Sequence, residues 1–200
     1  MPAPRDDVWT IPNQLTFARF PMAALLFLLI WLEQWPWCLA VFLLAAFTDW
    51  LDGWIARRWK MTSALGRSLD PLADKVLACG AFIFLLPIAQ ARNEGWMLPW
   101  MATVVVCREL IIATLRGYLE SLGAKFGADW FGKVKTVLQF AALVAIFVML
   151  MKTPEWPDWL RAGGDWLRLG LVYGMVLATI LSGLQYLWKA AVLLRAGAPS

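Results

Sequence analysis

Four aspartates are the residues best placed to do chemistry. Asp49 and Asp52 stand three residues apart, and Asp70 and Asp74 stand four apart. On helices each pair shares one face, because positions three or four apart are surface neighbours. The chain has no His, which removes zincin, His/Cys zinc and His-based triad chemistry together. What remains is an all-oxygen donor set, and hard oxygen ligands suit Mg²⁺ or Mn²⁺. With four carboxylates, a site for two divalent ions is the economical reading. Such a site clamps a phosphoanhydride and stabilises both attacking and leaving oxygens. Simpler alternatives exist for each residue. Arg57, Arg58 and Lys75 are available as monovalent partners. Asp70 followed by Pro71 has the form of a helix N-cap with proline at the first helical position, and Asp74 is within reach of a salt bridge to a neighbouring basic residue.

The elements that must position these acids are membrane helices. Apolar residues make up 61% of the 200-residue chain and charged residues only 16%, with a mean hydropathy of +0.63, far from soluble averages. A spanning helix needs roughly 20 mostly apolar residues. Six stretches qualify, at about 15–35, 37–58, 69–91, 97–121, 134–151 and 167–194. They use most of the chain, so the expected fold is an all-α integral membrane protein: a six-transmembrane-helix bundle forming one domain over residues 1–200. Pro12 to Arg19 mixes apolar and polar residues and is expected to begin as a short N-terminal interfacial amphipathic helix. The first span is expected to be retained rather than cleaved as a secretory signal. Cys38, Cys79 and Cys107 fall in or beside spans and suggest no disulfide framework.

Basic residues set the expected orientation. With a cytoplasmic N-terminus, Arg5, Arg19, Arg57, Arg58, Lys60, Arg67, Lys75, Arg116, Lys125, Lys133, Lys135, Lys189 and Arg195 face the cytoplasm, against Arg92, Lys152, Arg161 and Arg168 outside. That is the asymmetry of the positive-inside rule. Both termini and the aspartates are therefore expected on the cytoplasmic side of the inner membrane. The net charge of +4 is explained by topology and anionic lipid headgroups rather than by nucleic acid. Trp96, Trp100, Trp156, Trp159 and Trp166 cluster near span ends, as aromatic belts do.

An aspartate near hydrocarbon costs about 2.5–3.5 kcal/mol on insertion scales, so four in two neighbouring helices need compensation. Gly53, Ala56 and Gly66 leave room for a bulky ligand beside them, or for tight helix packing. The pattern Asp49-x2-Asp52-Gly53-x2-Ala56-Arg57-x8-Gly66-x3-Asp70-x3-Asp74 resembles the defining motif of the CDP-alcohol phosphatidyltransferase family in every fixed position. The resemblance implies a six-helix membrane fold, a homodimer, and transfer of a phosphatidyl group from a CDP-linked lipid to an alcohol with release of CMP. It also implies that Asp49, Asp52, Asp70 and Asp74 bind two divalent ions, and that Asp74 takes the acceptor's proton. Gly53, Ala56, Arg57 and Gly66 are implied as walls of the CDP site. The anhydride already supplies a good leaving group, so positioning and charge neutralisation are what the protein must add.

Further blocks, Asn13-x-Leu15-Thr16-x2-Arg19, Arg108-Glu109-Leu110-Ile111 with Leu115-Arg116, and Gly132-Lys133-x-Lys135-Thr136, are similar to those of the branch that makes phosphatidylglycerophosphate. They imply Asn13 and Thr16 at the CDP-lipid site, with CDP-diacylglycerol as donor and glycerol 3-phosphate as acceptor. A small dianionic acceptor needs cations, preferably Arg for forked phosphate contacts. Arg108, Arg116, Lys133 and Lys135 are the candidates. Arg108, inside a span, has the alternative of pairing with Glu109, Asp49 or another aspartate; the other three could be ordinary cytoplasmic loop charges. Inositol phosphate, phosphatidylglycerol or serine remain as acceptors. A divalent-cation transporter is a competing reading, but its acids should continue toward the midplane, whereas these sit at the ends of spans two and three.

Overall fold

The computed structural model describes residues 11–59, 64–121, 130–153 and 155–195. Among the described residues there is no strand, and the helices run α1 (Ile11–Trp31), α2 (Trp35–Trp59), α3 (Ala64–Arg92), α4 (Pro99–Ser121), α5 (Trp130–Leu150) and α6 (Asp158–Arg195). At about 1.5 Å rise per residue, even the shortest of these reaches across the roughly 30 Å hydrocarbon core of a bilayer. Five of them, all but α4, are both long and apolar enough to cross a membrane. At 23 residues α4 has the length, but Arg108, Glu109, Arg116 and Glu120 interrupt its apolar run. Exposed side chains such as Leu44, Phe47, Ile83, Leu177 and Leu184 would be costly in water and are suited to lipid. The chain is an all-helical, multi-pass membrane protein.

Two helix starts differ from the sequence expectation. α3 begins at Ala64, so Gly66 and Asp70 lie inside the helix rather than in a link and at a cap. Asp70 is therefore no N-cap, and Pro71 sits where it deprives the helix of one backbone hydrogen bond. α6 begins at Asp158 and runs for 38 residues, about 57 Å at the standard rise. Its exposed Trp159 and Trp166 precede the expected start at 167. The Pro12–Arg19 stretch is helical and continues without a break into the apolar part of α1.

The chain divides into two compact units, one up to Leu85 and one from Leu86 onward. In the first, α1 and α2 form a hairpin. Its link is tight: Glu33 adopts a left-handed backbone, φ 54°, and the amides of Leu32 and Gln34 donate to the carbonyls of Leu28 and Leu29 at 2.9 Å each. Ala23, Leu26 and Ile30 of α1 and Cys38, Phe42 and Ala45 of α2 are buried. α3 meets α1 where Phe27 stacks on Phe84, ring centroids 4.9 Å apart and 9° from parallel. Gly80 makes room for that ring, because a Cβ there would collide with Phe27.

In the second unit α6 packs against both α4 and α5. Met101 and Val105, Leu143, Ile146 and Phe147, and Val172 and Met175 are buried there. An ionic clasp ties the ends together. Arg168 Nη2 donates to Glu94 at 2.7 Å and to Asp165 at 2.8 Å, and Lys152 Nζ reaches Asp165 at 3.0 Å. The guanidinium of Arg168 also lies 5.1 Å from the centre of the Trp96 ring, within cation–π range. Two cations and two carboxylates balance, which is how a buried charge is tolerated.

Candidate functional site

In the first unit three helices deliver one charged cluster. Asp49 comes from α2, Asp74 from α3, and between them stands Arg19 of α1. A single guanidinium nitrogen, Nη1, donates to Asp49 Oδ1 at 2.6 Å and to Asp74 Oδ1 at 2.5 Å. Arg19 is 2% exposed, whereas the side chains of Asp49 and Asp74 are 46% and 54% exposed. The carboxylates are thus open outward with a cation buried behind them. Thr16, one turn before Arg19, is also buried. From sequence the aspartates are expected to hold divalent metal, with Arg57, Arg58 and Lys75 as the alternative monovalent partners. The described cation comes from α1, which sequence adjacency does not reveal.

One aspartate of each pair, Asp49 and Asp74, meets the other at a single nitrogen. Asp52 lies three residues beyond Asp49 on α2, and Asp70 four residues before Asp74 on α3. The side chains of Asn13, Asp52, Ala56, Arg57, Gly66 and Asp70 lie outside the described residues; their backbones are helical. Gly53 is half-buried in α2. Among the described residues no three acidic, His or Cys side chains form a metal-ligand group. The donor chemistry nevertheless fits a divalent ion. Two hard oxygens from two helices already converge on one positive centre, and the chain has no His to favour a softer metal.

A second cluster forms within the other unit, around Glu109 of α4. Glu109 is 7% exposed and accepts from Lys135 Nζ of α5 and from Arg108 Nη1 at 3.1 Å. The other terminal nitrogen of Arg108, Nη2, donates to Ser182 Oγ of α6 at 3.1 Å, and the guanidinium lies 5.6 Å from the Tyr186 ring centre. Gly183 admits this arginine: a Cβ there would sit 3.2 Å from Arg108 Cγ. Among the described residues, two cations thus share this one carboxylate. Such a group is suited to a phosphate. Arg108 does make the pairing with Glu109 that was its alternative reading, and does so together with Lys135. Arg116 and Lys133 are exposed on α4 and α5. Ser182 and Tyr186 carried no sequence signal, because both arrive from α6, over 70 residues away along the chain.

The family model described as CDP-alcohol phosphatidyltransferase matches residues 9–181. The chain is 36% identical over 186 residues to the CDP-diacylglycerol–glycerol-3-phosphate 3-phosphatidyltransferase of Sodalis glossinidius (strain morsitans), covering 90% of this chain and 94% of that one. Proteins of the same name from Pectobacterium atrosepticum and Yersinia enterocolitica are similar at 38% over 144 residues and 39% over 142 residues. Those alignments cover 69% and 68% of this chain, and 76% and 75% of the relatives.

Proposed function

The chain belongs to the CDP-alcohol phosphatidyltransferase family, and on that premise we propose that it transfers the phosphatidyl group of CDP-diacylglycerol to glycerol 3-phosphate. The products are CMP and phosphatidylglycerophosphate, which makes this a phosphotransferase of phospholipid biosynthesis. The observation that carries the reading is the similarity to enzymes of that name over 90% of the chain. It favours glycerol 3-phosphate over inositol phosphate, phosphatidylglycerol or serine, and a transferase over a cation transporter.

In the proposed mechanism Asp49, Asp52, Asp70 and Asp74 would hold two divalent ions, Mg²⁺ or Mn²⁺. When bound, such ions neutralise the pyrophosphate of the CDP-lipid and stabilise the attacking and leaving oxygens. Asn13, Thr16, Gly53, Ala56, Arg57 and Gly66 border the CDP part of the donor. Arg108 and Lys135, held by Glu109 and Ser182, bind the phosphate of the acceptor with Arg116 and Lys133. Asp74 takes the proton of the acceptor hydroxyl on a carboxylate oxygen. The hydroxyl oxygen forms a bond to the phosphorus that bears diacylglycerol, the anhydride bond to CMP breaks, and CMP leaves with the electron pair. A lipid donor gains nothing by leaving the bilayer, so its acyl chains stay among lipid-facing helices.

The same reading takes residues 1–200 as one catalytic domain and two copies as a homodimer. It places both termini and the aspartates on the cytoplasmic face of the inner membrane. The test is CMP release by purified protein in detergent, given CDP-diacylglycerol, Mg²⁺ or Mn²⁺, and separately glycerol 3-phosphate, inositol phosphate, phosphatidylglycerol or serine. Release with glycerol 3-phosphate alone is expected. Release only with another acceptor would discard the roles of Arg108, Arg116, Lys133 and Lys135 while retaining the aspartate chemistry.

A further inference from the structure

We infer that Arg19 is a positioning residue of the acidic cluster: from the buried side, one guanidinium nitrogen holds a carboxylate of each of two helices in the arrangement that receives divalent metal. The inference rests on the metal reading of the aspartates given above.

Asp49 Oδ1 and Asp74 Oδ1 lie 2.6 and 2.5 Å from Arg19 Nη1. Two carboxylates drawn to one nitrogen are close enough to repel each other strongly at the dielectric of a protein interior. Without a cation between them, α2 and α3 would carry two like charges at their point of approach. Arg19 supplies that cation permanently, since a guanidinium does not lose its proton in proteins. The burial pattern gives the hold a direction. The arginine is 2% exposed and the two aspartates about half exposed, so it acts from within the helix packing and leaves the open side of the cluster to a ligand. One hydrogen bond does not exhaust a carboxylate, which offers about four lone-pair sites. Ligating carboxylates are commonly fixed by such outer partners, and losing one typically weakens metal affinity about 10–100-fold.

The position suits arginine for a further reason. Arg19 reaches both acidic helices from α1 and stands one turn after buried Thr16, so a change at residue 19 alters the cluster without altering any proposed metal ligand. A competing view is that Arg19 merely fills the place of a metal. The two views predict opposite signs: removal of a positioning cation weakens metal binding, whereas removal of a competitor tightens it.

The experiment titrates the purified full-length protein in detergent with Mn²⁺, without substrate, and reads free Mn²⁺ by electron paramagnetic resonance. Arg19→Gln is expected to weaken binding about 10–100-fold. Arg19→Lys, which keeps the charge on a shorter, single-nitrogen head, is expected between wild type and Arg19→Gln. Unchanged or tighter binding in a folded Arg19→Gln protein would overturn the assignment. If Arg19→Gln does not fold, Arg19→Lys decides: affinity equal to or above wild type overturns it. A wild-type protein that binds no Mn²⁺ would instead overturn the metal reading and this role with it, and so is distinguishable from failure of Arg19 alone.

Discussion

A general base must expose its carboxylate to substrate yet keep it in one orientation. Asp74 meets both demands, with a side chain 54% exposed and Oδ1 held by Arg19. In the proposed mechanism Asp74→Asn loses the proton acceptor and a metal ligand while keeping nearly the same shape. CMP release is expected to fall by at least about 10²–10⁴-fold in protein whose circular dichroism is unchanged, and near-normal turnover would remove Asp74 as the base. Arg108 tests the acceptor end. Charge-assisted hydrogen bonds are worth about 1.5–3 kcal/mol, so Arg108→Ala is expected to raise the KM for glycerol 3-phosphate about 10–100-fold. The KM for CDP-diacylglycerol should change little. Equal rises in both would show that Arg108 supports the fold rather than the acceptor.

Helices carry these side chains only as well as they pack, and at Gly80 a glycine governs one of the contacts. At Gly80 an added methyl meets the Phe27 ring, which is stacked on Phe84. Overpacking of this kind costs about 1–3 kcal/mol. Gly80→Ala is expected to lower the melting temperature in detergent, and adding Phe27→Leu should recover part of the loss. No recovery would mean that the cost lies elsewhere than at that ring. α4 has a different constraint, because it gives up apolar character to carry Arg108 and Glu109. Glu109 is what makes that tolerable, since it neutralises charge from its own helix and from Lys135 of α5. The clasp of Arg168, Glu94, Asp165 and Lys152 is a separate device for holding the ends of α5 and α6. It contains no residue assigned to the reaction.

For the molecule as a whole, the prediction concerns metal and membrane. Chelation with EDTA is expected to abolish CMP release, and Mg²⁺ or Mn²⁺ to restore it; activity that survives exhaustive chelation would rule out the four-aspartate metal chemistry. Orientation is testable in intact cells with a membrane-impermeant thiol reagent. After the native cysteines are replaced, Glu155→Cys, in the link before α6, should be labelled, and Ser200→Cys should react only once cells are opened. The reverse pattern would invert the topology and place the aspartates outside.

By itself the sequence determined the membrane class, the number and approximate place of the helices, and the aspartate pattern. Each of these is written in local composition or spacing: apolar runs about 20 residues long, and acids at helical intervals on one face. Helix ends were less legible. The starts at Ala64 and Asp158 fall in polar or glycine-containing stretches, where apolarity marks the bilayer but not the extent of helix. Tertiary structure alone decided the partners. That Arg19 joins Asp49 to Asp74, and that Glu109 gathers Arg108 and Lys135 beside Ser182, depends on which helix faces turn toward each other. Charge counted along a chain does not contain that information, because a buried ion takes whichever partner the packing brings within hydrogen-bond reach.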